Sequence, residues 1–379
     1  MKWGIPMIKK QFKDKNLSML GLGCMRFPCL ENGEVDMEKT AEIIDLCIKS
    51  GVNYYDTAWF YHQGKSEEII GALLSKYPRD SYYLADKMPF NKFTSHEEVI
   101  KTFETQLSRT GMDYFDFYLL HNVSDDTVSI FTDENLKITD YLLEQKRIGR
   151  IRHLGFSTHA SLPVLKDFLA KYHTVMEFCQ IQLNWLDYKL QSAKEKVELL
   201  NSYDIPIWVM EPVRGGRLAA LSEEDEAALK ALRPNESIPA WAFRFVQSLE
   251  GITVVLSGMS DLSQVKDNIK TFSEHKPLCE KEKSAILSVA DKLLSRRTLT
   301  CTNCKYCVTE CPMELPIPKL LRLFNDKFLV SGSTPKNVKI EFPDGKMPSE
   351  CIACHACEQK CPQKIEIASI MKEFAEKLG

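Results

Sequence analysis

Eight short apolar runs, LSMLGLG, VNYYDTA, YYLADKM, YFDFYLL, IRHLGFS, EFCQIQL, IPIWVM and ITVVLSG, follow one another between Leu17 and Thr271. They alternate with segments whose apolar residues recur three and four apart, most clearly at 37–50, 66–74, 96–107, 162–172 and 262–271. The runs read as strands and the intervening segments as helices. Alternating strands and helices build parallel sheets, because each right-handed crossover lays the new strand beside the last. Eight such units are enough for closure, so the expected fold is an α/β (β/α)8 barrel, with an open doubly wound sheet as the alternative. The turn after the first run, Gly21-Leu22-Gly23-Cys24-Met25, lacks the third glycine and the helix of a pyrophosphate cradle, which weakens the open sheet.

After Lys276 the pattern changes. A charged amphipathic segment at 280–294 leads into a cysteine-rich tail, and the expected domains are 1–275 and 276–379. Of the 13 cysteines, eight fall after Thr300. Cys301, Cys304, Cys307 and Cys311 follow the spacing C-x2-C-x2-C-x3-C-P, and Cys351, Cys354, Cys357 and Cys361 repeat it. Three closely spaced thiolates can wrap one face of a 4Fe-4S cube, while the proline turns the fourth away. Zinc is the alternative, but zinc sites pair two C-x2-C elements across a variable gap and call for neither the third cysteine nor the proline. Between the motifs, Ser331 to Pro335 and Pro343 to Gly345 carry turn chemistry and read as a loop. His355 reads as a solvated loop residue, and Cys24, Cys29, Cys47, Cys179 and Cys279 as scattered structural thiols.

The doubled motif resembles the two-cluster ferredoxins, in which the fourth cysteine of each motif ligates the other cube. That resemblance implies one cluster on Cys301, Cys304, Cys307 and Cys361, and a second on Cys351, Cys354, Cys357 and Cys311.

In a barrel of this kind chemistry gathers at the carboxyl ends of the strands. Asp56 and Tyr61 follow the second run, Lys87 ends the third and His121 ends the fourth. Reducing a carbonyl by hydride needs a proton for the developing alkoxide, and a phenol of pKa about 10 gives one up poorly. Lys87 is expected to lower that pKa, Asp56 to hold the lysine charged, and His121 to position the substrate oxygen as a neutral donor.

Here the chain resembles the aldo/keto reductases over 17–271. Their motif G-x-N-x-x-D-T-A-x-x-Y is matched at Gly51, Asn53, Asp56, Thr57, Ala58 and Tyr61, followed by Gly64 and the helix opening at Ser66. The resemblance implies a nicotinamide cofactor. It places Met25 and Arg26 beside the nicotinamide and pyrophosphate, Ser157 and Gln180 at the carboxamide, and Asn268 at the adenine. Pro212, Arg214, Gly215 and Arg217 lie in a glycine-rich turn suited to a pyrophosphate. Met210 replaces the family's stacking aromatic ring and Thr158 its asparagine, while Gly258 and Gln264 stand where a lysine and an arginine clamp the 2′-phosphate of NADP. NAD versus NADP is therefore open, with a flavin as a further alternative.

The net charge of −3 offers no basic excess for a phosphate backbone or an anionic bilayer, so neither nucleic acid nor membrane is an expected partner. No apolar stretch reaches the roughly 18 residues of a membrane span, and the first 14 residues lack the apolar core of a leader, so the expected compartment is the cytoplasm. The resulting reading is an oxidoreductase of anaerobic metabolism. It acts on a small carbonyl or alcohol, and its clusters exchange electrons with a ferredoxin or flavoprotein. The alternatives are an electron-transfer or docking protein whose barrel senses nucleotide, and a tail in which the clusters are structural staples. The oligomeric state is not legible.

Overall fold

The computed structural model describes residues 7–90, 93–297, 299, 301, 305–325, 342, 345–361 and 363–378. Cys304, Pro362 and most of the spacer expected as a loop lie outside the described residues. Two compact units form, Met1–Ile286 and Leu287–Gly379, parted within the helix Glu280–Arg297.

The first unit opens with a hairpin that the sequence reading did not anticipate, β1 (Lys9–Phe12) paired antiparallel with β2 (Lys15–Ser18). The LSMLGLG run is thus divided, its first two residues ending β2 and the rest supplying β3 (Leu20–Gly23). Apolar content alone cannot show where a run changes sheets. Phe12 carries the hairpin into the amino-terminal end of the barrel, edge-on to Phe178 and Trp208 with ring centroids 6.2 and 5.1 Å away.

The remaining strands are β4 (Tyr54–Asp56), β5 (Tyr83–Met88), β6 (Phe115–Val123), β7 (Ile151–Thr158), β8 (Cys179–Gln182), β9 (Ile207–Met210) and β10 (Ile252–Ser257). With β3 they close a parallel barrel, β10 pairing with both β9 and β3. Every one of the eight apolar runs supplies a barrel strand. Helices fill the crossovers, among them α1 (Met37–Lys49), α2 (Ser66–Leu74) and α3 (His96–Thr110). Two of these have local end signals: Asp36 accepts from Lys39 N at the start of α1, and Gly111 ends α3 in the left-handed region.

Side chains alternate in and out along a strand, so the core identifies the inward set. Gly21, Tyr54, Ala85, Leu119, Gly155, Phe178, Trp208 and Leu256 share that inward parity through the pairings Leu119↔Gly155 and Leu256↔Gly21, and most of them join one apolar core. Two residues further along each strand lie Gly23, Asp56, Lys87, His121, Ser157, Gln180, Met210 and Gly258. The polar chemistry of the barrel therefore forms the inward layer directly above its apolar floor.

In the second unit the internal repeat extends beyond the cysteines. The helices Ile317–Phe324 and Ile367–Leu378 each begin six residues after the fourth cysteine of their motif. Leu315 matches Ile365, Leu321 matches Met371 and Phe324 matches Phe374, and all six lie in one core with Cys307 and Cys357. The Phe324 and Phe374 rings meet at 5.3 Å.

Candidate active site and cluster cavities

Lys87 is fully buried, and its ammonium donates to Asp56 Oδ1 at 2.5 Å and to the Thr57 carbonyl at 2.6 Å. The same nitrogen lies 5.0 Å from the centre of the Tyr61 ring. Burial pushes the ammonium towards losing its proton, but the charge of Asp56 outweighs it, with help from Tyr61 and Asp86, and the pKa ends above its ordinary value. The His121 ring stands edge-on to Tyr61 with centroids 6.1 Å apart. Burial, then the charges of Lys87 and His159, hold His121 well below the usual imidazole range, so it is neutral at physiological pH. Its Nδ1 is buried with no hydrogen-bond partner among the described residues.

Contrary to the expectation from sequence, the Tyr61 phenol is not made more acidic. Lys87 does pull the Tyr61 pKa down, by its charge and by a side-chain hydrogen bond, but desolvation is the larger influence and the phenol ends above its ordinary value of 10. Tyr61 therefore keeps its proton at neutral pH and is disposed to release it only to a stronger base.

Other expected residues divide by where their side chains go. Ser157, Gln180 and Met210 stand in the inward layer, and Gln180 Nε2 lies 3.8 Å from Met210 Sδ. Met25 and Arg26 sit in the short turn Cys24–Arg26 after β3, Met25 half exposed. Thr158 has the opposite parity, and its hydroxyl donates to the Val123 carbonyl at 2.7 Å. Gln264 spends its side-chain oxygen accepting from Ser260 N at 3.0 Å, and Asn268 donates to Ser257 Oγ at 3.0 Å. Arg214 is buried against Asp187, with Nε 3.3 Å from Oδ1, so this guanidinium braces the turn from beneath. Pro212 is buried, Gly215 adopts a left-handed conformation, and Arg217 is half-buried.

Three features escaped the sequence reading. Between Leu120 and Val123 strand β6 bulges, so that His121 and Asn122 together stand opposite Ser157. Asn122 takes the left-handed conformation asparagine tolerates, its N–H donates to Ser157 Oγ at 2.8 Å, and its Oδ1 is buried without a partner among the described residues. Phe60 and Phe90, 4.9 Å apart, form an aromatic wall beside His121. Behind Lys87, Asp86 accepts from the Lys87 backbone N–H at 2.8 Å, and buried Glu67 accepts from Gln106 at 2.9 Å and Arg109 at 3.0 Å. An asparagine straight after a strand-end histidine was the available signal for the bulge; nothing in the sequence marks the other two.

Among the described residues the tail forms two hollows. One is lined by Cys311, Cys351, Cys354 and Cys357 within an apolar wall that includes Leu315 and Ile367. The other is lined by Cys301, Cys307 and Cys361. Among the described residues, no three His, Cys, Asp or Glu side chains converge tightly enough to hold a single metal ion. His355 is exposed and bonds Glu358 at 2.8 Å.

A closed parallel barrel whose mouth gathers a phenol, an ammonium–carboxylate pair and a neutral imidazole, followed by a cysteine-walled module, defines an oxidoreductase with an iron–sulfur domain. Residues 19–291 match the aldo/keto reductase family and residues 300–366 the 4Fe-4S dicluster domain; the chain belongs to the aldo/keto reductase family. It is similar to the uncharacterized oxidoreductase YqkF of Bacillus subtilis, 26% identical over 306 residues that cover 73% of this chain and 93% of that protein. The NADH-specific methylglyoxal reductase of Escherichia coli is 25% identical over 306 residues, covering 69% and 91%. Among solved structures, the holo form of aldo-keto reductase AKR11C1 from Bacillus halodurans shares 26% identity at a TM-score of 0.60, covering 75% of this chain and 96% of that one. No helix among the described residues is long and apolar enough to cross a membrane.

Proposed function

We propose that this protein interconverts a small carbonyl compound and its alcohol with NADH in the cytoplasm, and exchanges electrons with a ferredoxin or flavoprotein through two 4Fe-4S clusters. The observation that carries the reading is the contact of buried Lys87 with Asp56 at 2.5 Å and with the Tyr61 ring at 5.0 Å, in the inward layer of the barrel mouth.

The donor set fits a nicotinamide. Buried Gln180 Oε1 and Asn122 Oδ1, both without partners among the described residues, are acceptors for the two N–H groups of a carboxamide. A bound nicotinamide supplies or accepts hydride. In the reducing direction, His121 positions the carbonyl oxygen, and Tyr61 holds the proton that the developing alkoxide takes. Lys87, kept charged by Asp56, stabilises the phenolate left behind. The phenol's raised pKa suits this order of events, since the proton leaves only as the more basic alkoxide forms. Gln264 is committed to its own turn and Gly258 has no side chain, so a 2′-phosphate would find neither of the expected cations. That favours NADH, and it agrees with the NADH-specific name of the Escherichia coli relative.

In the tail, the division of the cysteines between two cavities supports crossed ligation, with Cys361 beside Cys301 and Cys307, and Cys311 beside Cys351, Cys354 and Cys357. Cysteines set around a cavity, rather than converging on a point, suit a cube better than one zinc ion. A hydride carries two electrons and each cube passes one at a time, so joining the two halves requires a carrier such as a flavin that exchanges both ways.

The test is anaerobic purification followed by absorbance spectroscopy, then turnover with NADH and a panel of small aldehydes and ketones. Iron–sulfur absorbance together with NADH oxidation that Tyr61→Phe abolishes is the expected result. Undiminished turnover in that variant would overturn the assignment.

A further inference from the structure

One side chain crosses the rim of the barrel where a dinucleotide would lie. Arg26 leaves the turn after β3 and runs over the ends of two neighbouring strands. Its stem rests on Gly258: a Cβ built there would come within 3.0 Å of Cβ, Cγ and Cδ of the arginine. Its guanidinium rests on Gly215, where a Cβ would lie 2.9 Å from Nη2. It ends on Glu211, with Nη2 2.9 Å from Oε1. Gly258, read from sequence as a lost cation, is thus the seat on which another cation lies.

Glu211 is firmly presented. It follows β9 directly in a left-handed conformation with φ of 57°, which a glutamate adopts only when its surroundings impose it. Its carbonyl accepts from Asn184 Nδ2 at 3.0 Å and from Arg214 N at 2.9 Å, and Asn184 in turn bonds Asp187, the partner of buried Arg214. The buried network beneath the turn therefore fixes the backbone that carries this carboxylate.

Building on the nucleotide reading above, we propose that Glu211 sets nucleotide affinity by acting as a stand-in anion: it holds Arg26 across the β9–β10 rim, and the diphosphate of the dinucleotide takes the guanidinium from it. A carboxylate and a diphosphate compete for the same planar fork of donors. The existing pair is partly open to solvent, with side-chain exposures of 44% and 27%, so it can be exchanged. Glu211 is thus a positioning residue that acts through Arg26, and Arg26 is the phosphate contact.

The test measures dissociation constants of the full-length protein for NADH by fluorescence, and for ADP and AMP by calorimetry. Glu211→Gln is expected to tighten NADH and ADP about five- to tenfold, and Arg26→Ala to weaken both by about tenfold or more, as expected for charge-assisted contacts. AMP, which lacks the diphosphate, is expected to change less than twofold in either variant, and the double variant is expected to behave like Arg26→Ala alone. If NADH binds the wild type but Glu211→Gln leaves its affinity unchanged or weaker, the stand-in role is overturned while the nucleotide site survives. If the wild type shows no saturable NADH binding, both fall.

Discussion

The barrel and the cysteine tail concentrate chemistry by opposite means. In the tail each motif places its ligands within one short stretch, and the fold has only to bring two such stretches together. In the barrel Asp56, Lys87 and His121 come from three neighbouring strands whose register turns each of them inward, and Tyr61 joins them from the turn that follows β4. A one-residue slip in β5 would send Lys87 outward and Asp86 inward. Local spacing is robust and easily read, whereas a site assembled from register depends on every pairing around the barrel.

The largest expected effect tests the assembled site. Tyr61→Phe should lower kcat/KM for a carbonyl substrate about 100- to 10,000-fold, the range for loss of a general acid, with the NADH dissociation constant within about twofold of wild type. A fall confined to NADH affinity would mean that Tyr61 binds nucleotide and does no proton chemistry. The tail is tested by Cys361→Ser. If ligation is crossed, iron and sulfide per chain should fall by about half, and the surviving paramagnetic signal should be the one abolished by Cys311→Ser. Loss of the cluster built on Cys351, Cys354 and Cys357 would instead show each motif serving its own cube.

A third prediction separates the two regions by stability. At the floor of the barrel, burial pushes Glu177 up, but His153, Lys13 and Lys146 outweigh it and hold the carboxyl at about 2, against an ordinary 4.5. A carboxyl with a depressed folded-state pKa stabilises the fold fully above its unfolded value, and this is lost as pH falls from about 4.5 to about 2. Discounted for solvent screening, the contribution is on the order of 1–2 kcal/mol. All five tryptophans precede Leu287, and the four among the described residues, Trp59, Trp185, Trp208 and Trp241, lie in the barrel unit, so tryptophan fluorescence in denaturant titrations at pH 7 and pH 3 follows the barrel. Glu177→Gln should flatten that pH dependence. The smallest effect belongs to the bulge: Asn122→Ala should raise KM for NADH about two- to tenfold with kcat little changed, as expected for one neutral hydrogen bond.

Much of this molecule was legible because its signals are periodic or closely spaced. The alternation of runs announced all eight barrel strands, and it placed Lys87 and His121 at strand ends. The same periodicity could not show that the first run serves two sheets, since Leu17 and Leu20 look alike in sequence and differ only in what they pair with. Among the candidate cofactor contacts, Gln180 was reached through the family resemblance, and strand register is what sets it inward. Nothing near Arg214 in its glycine-rich turn signals the burial against Asp187, which is distant in sequence.

By itself, then, the amino-acid order determined what depends on near neighbours: strand and helix periods, the doubled cysteine spacing, and the identities of the reactive groups. Only the tertiary structure decided what depends on distant ones. Burial outweighing Lys87 at the Tyr61 phenol, the second residue that the β6 bulge sets opposite Ser157, and the course of Arg26 over two glycines are all of this kind. Each is set by atoms brought close by closure of the barrel, and desolvation, register and steric room have no values until that closure has occurred.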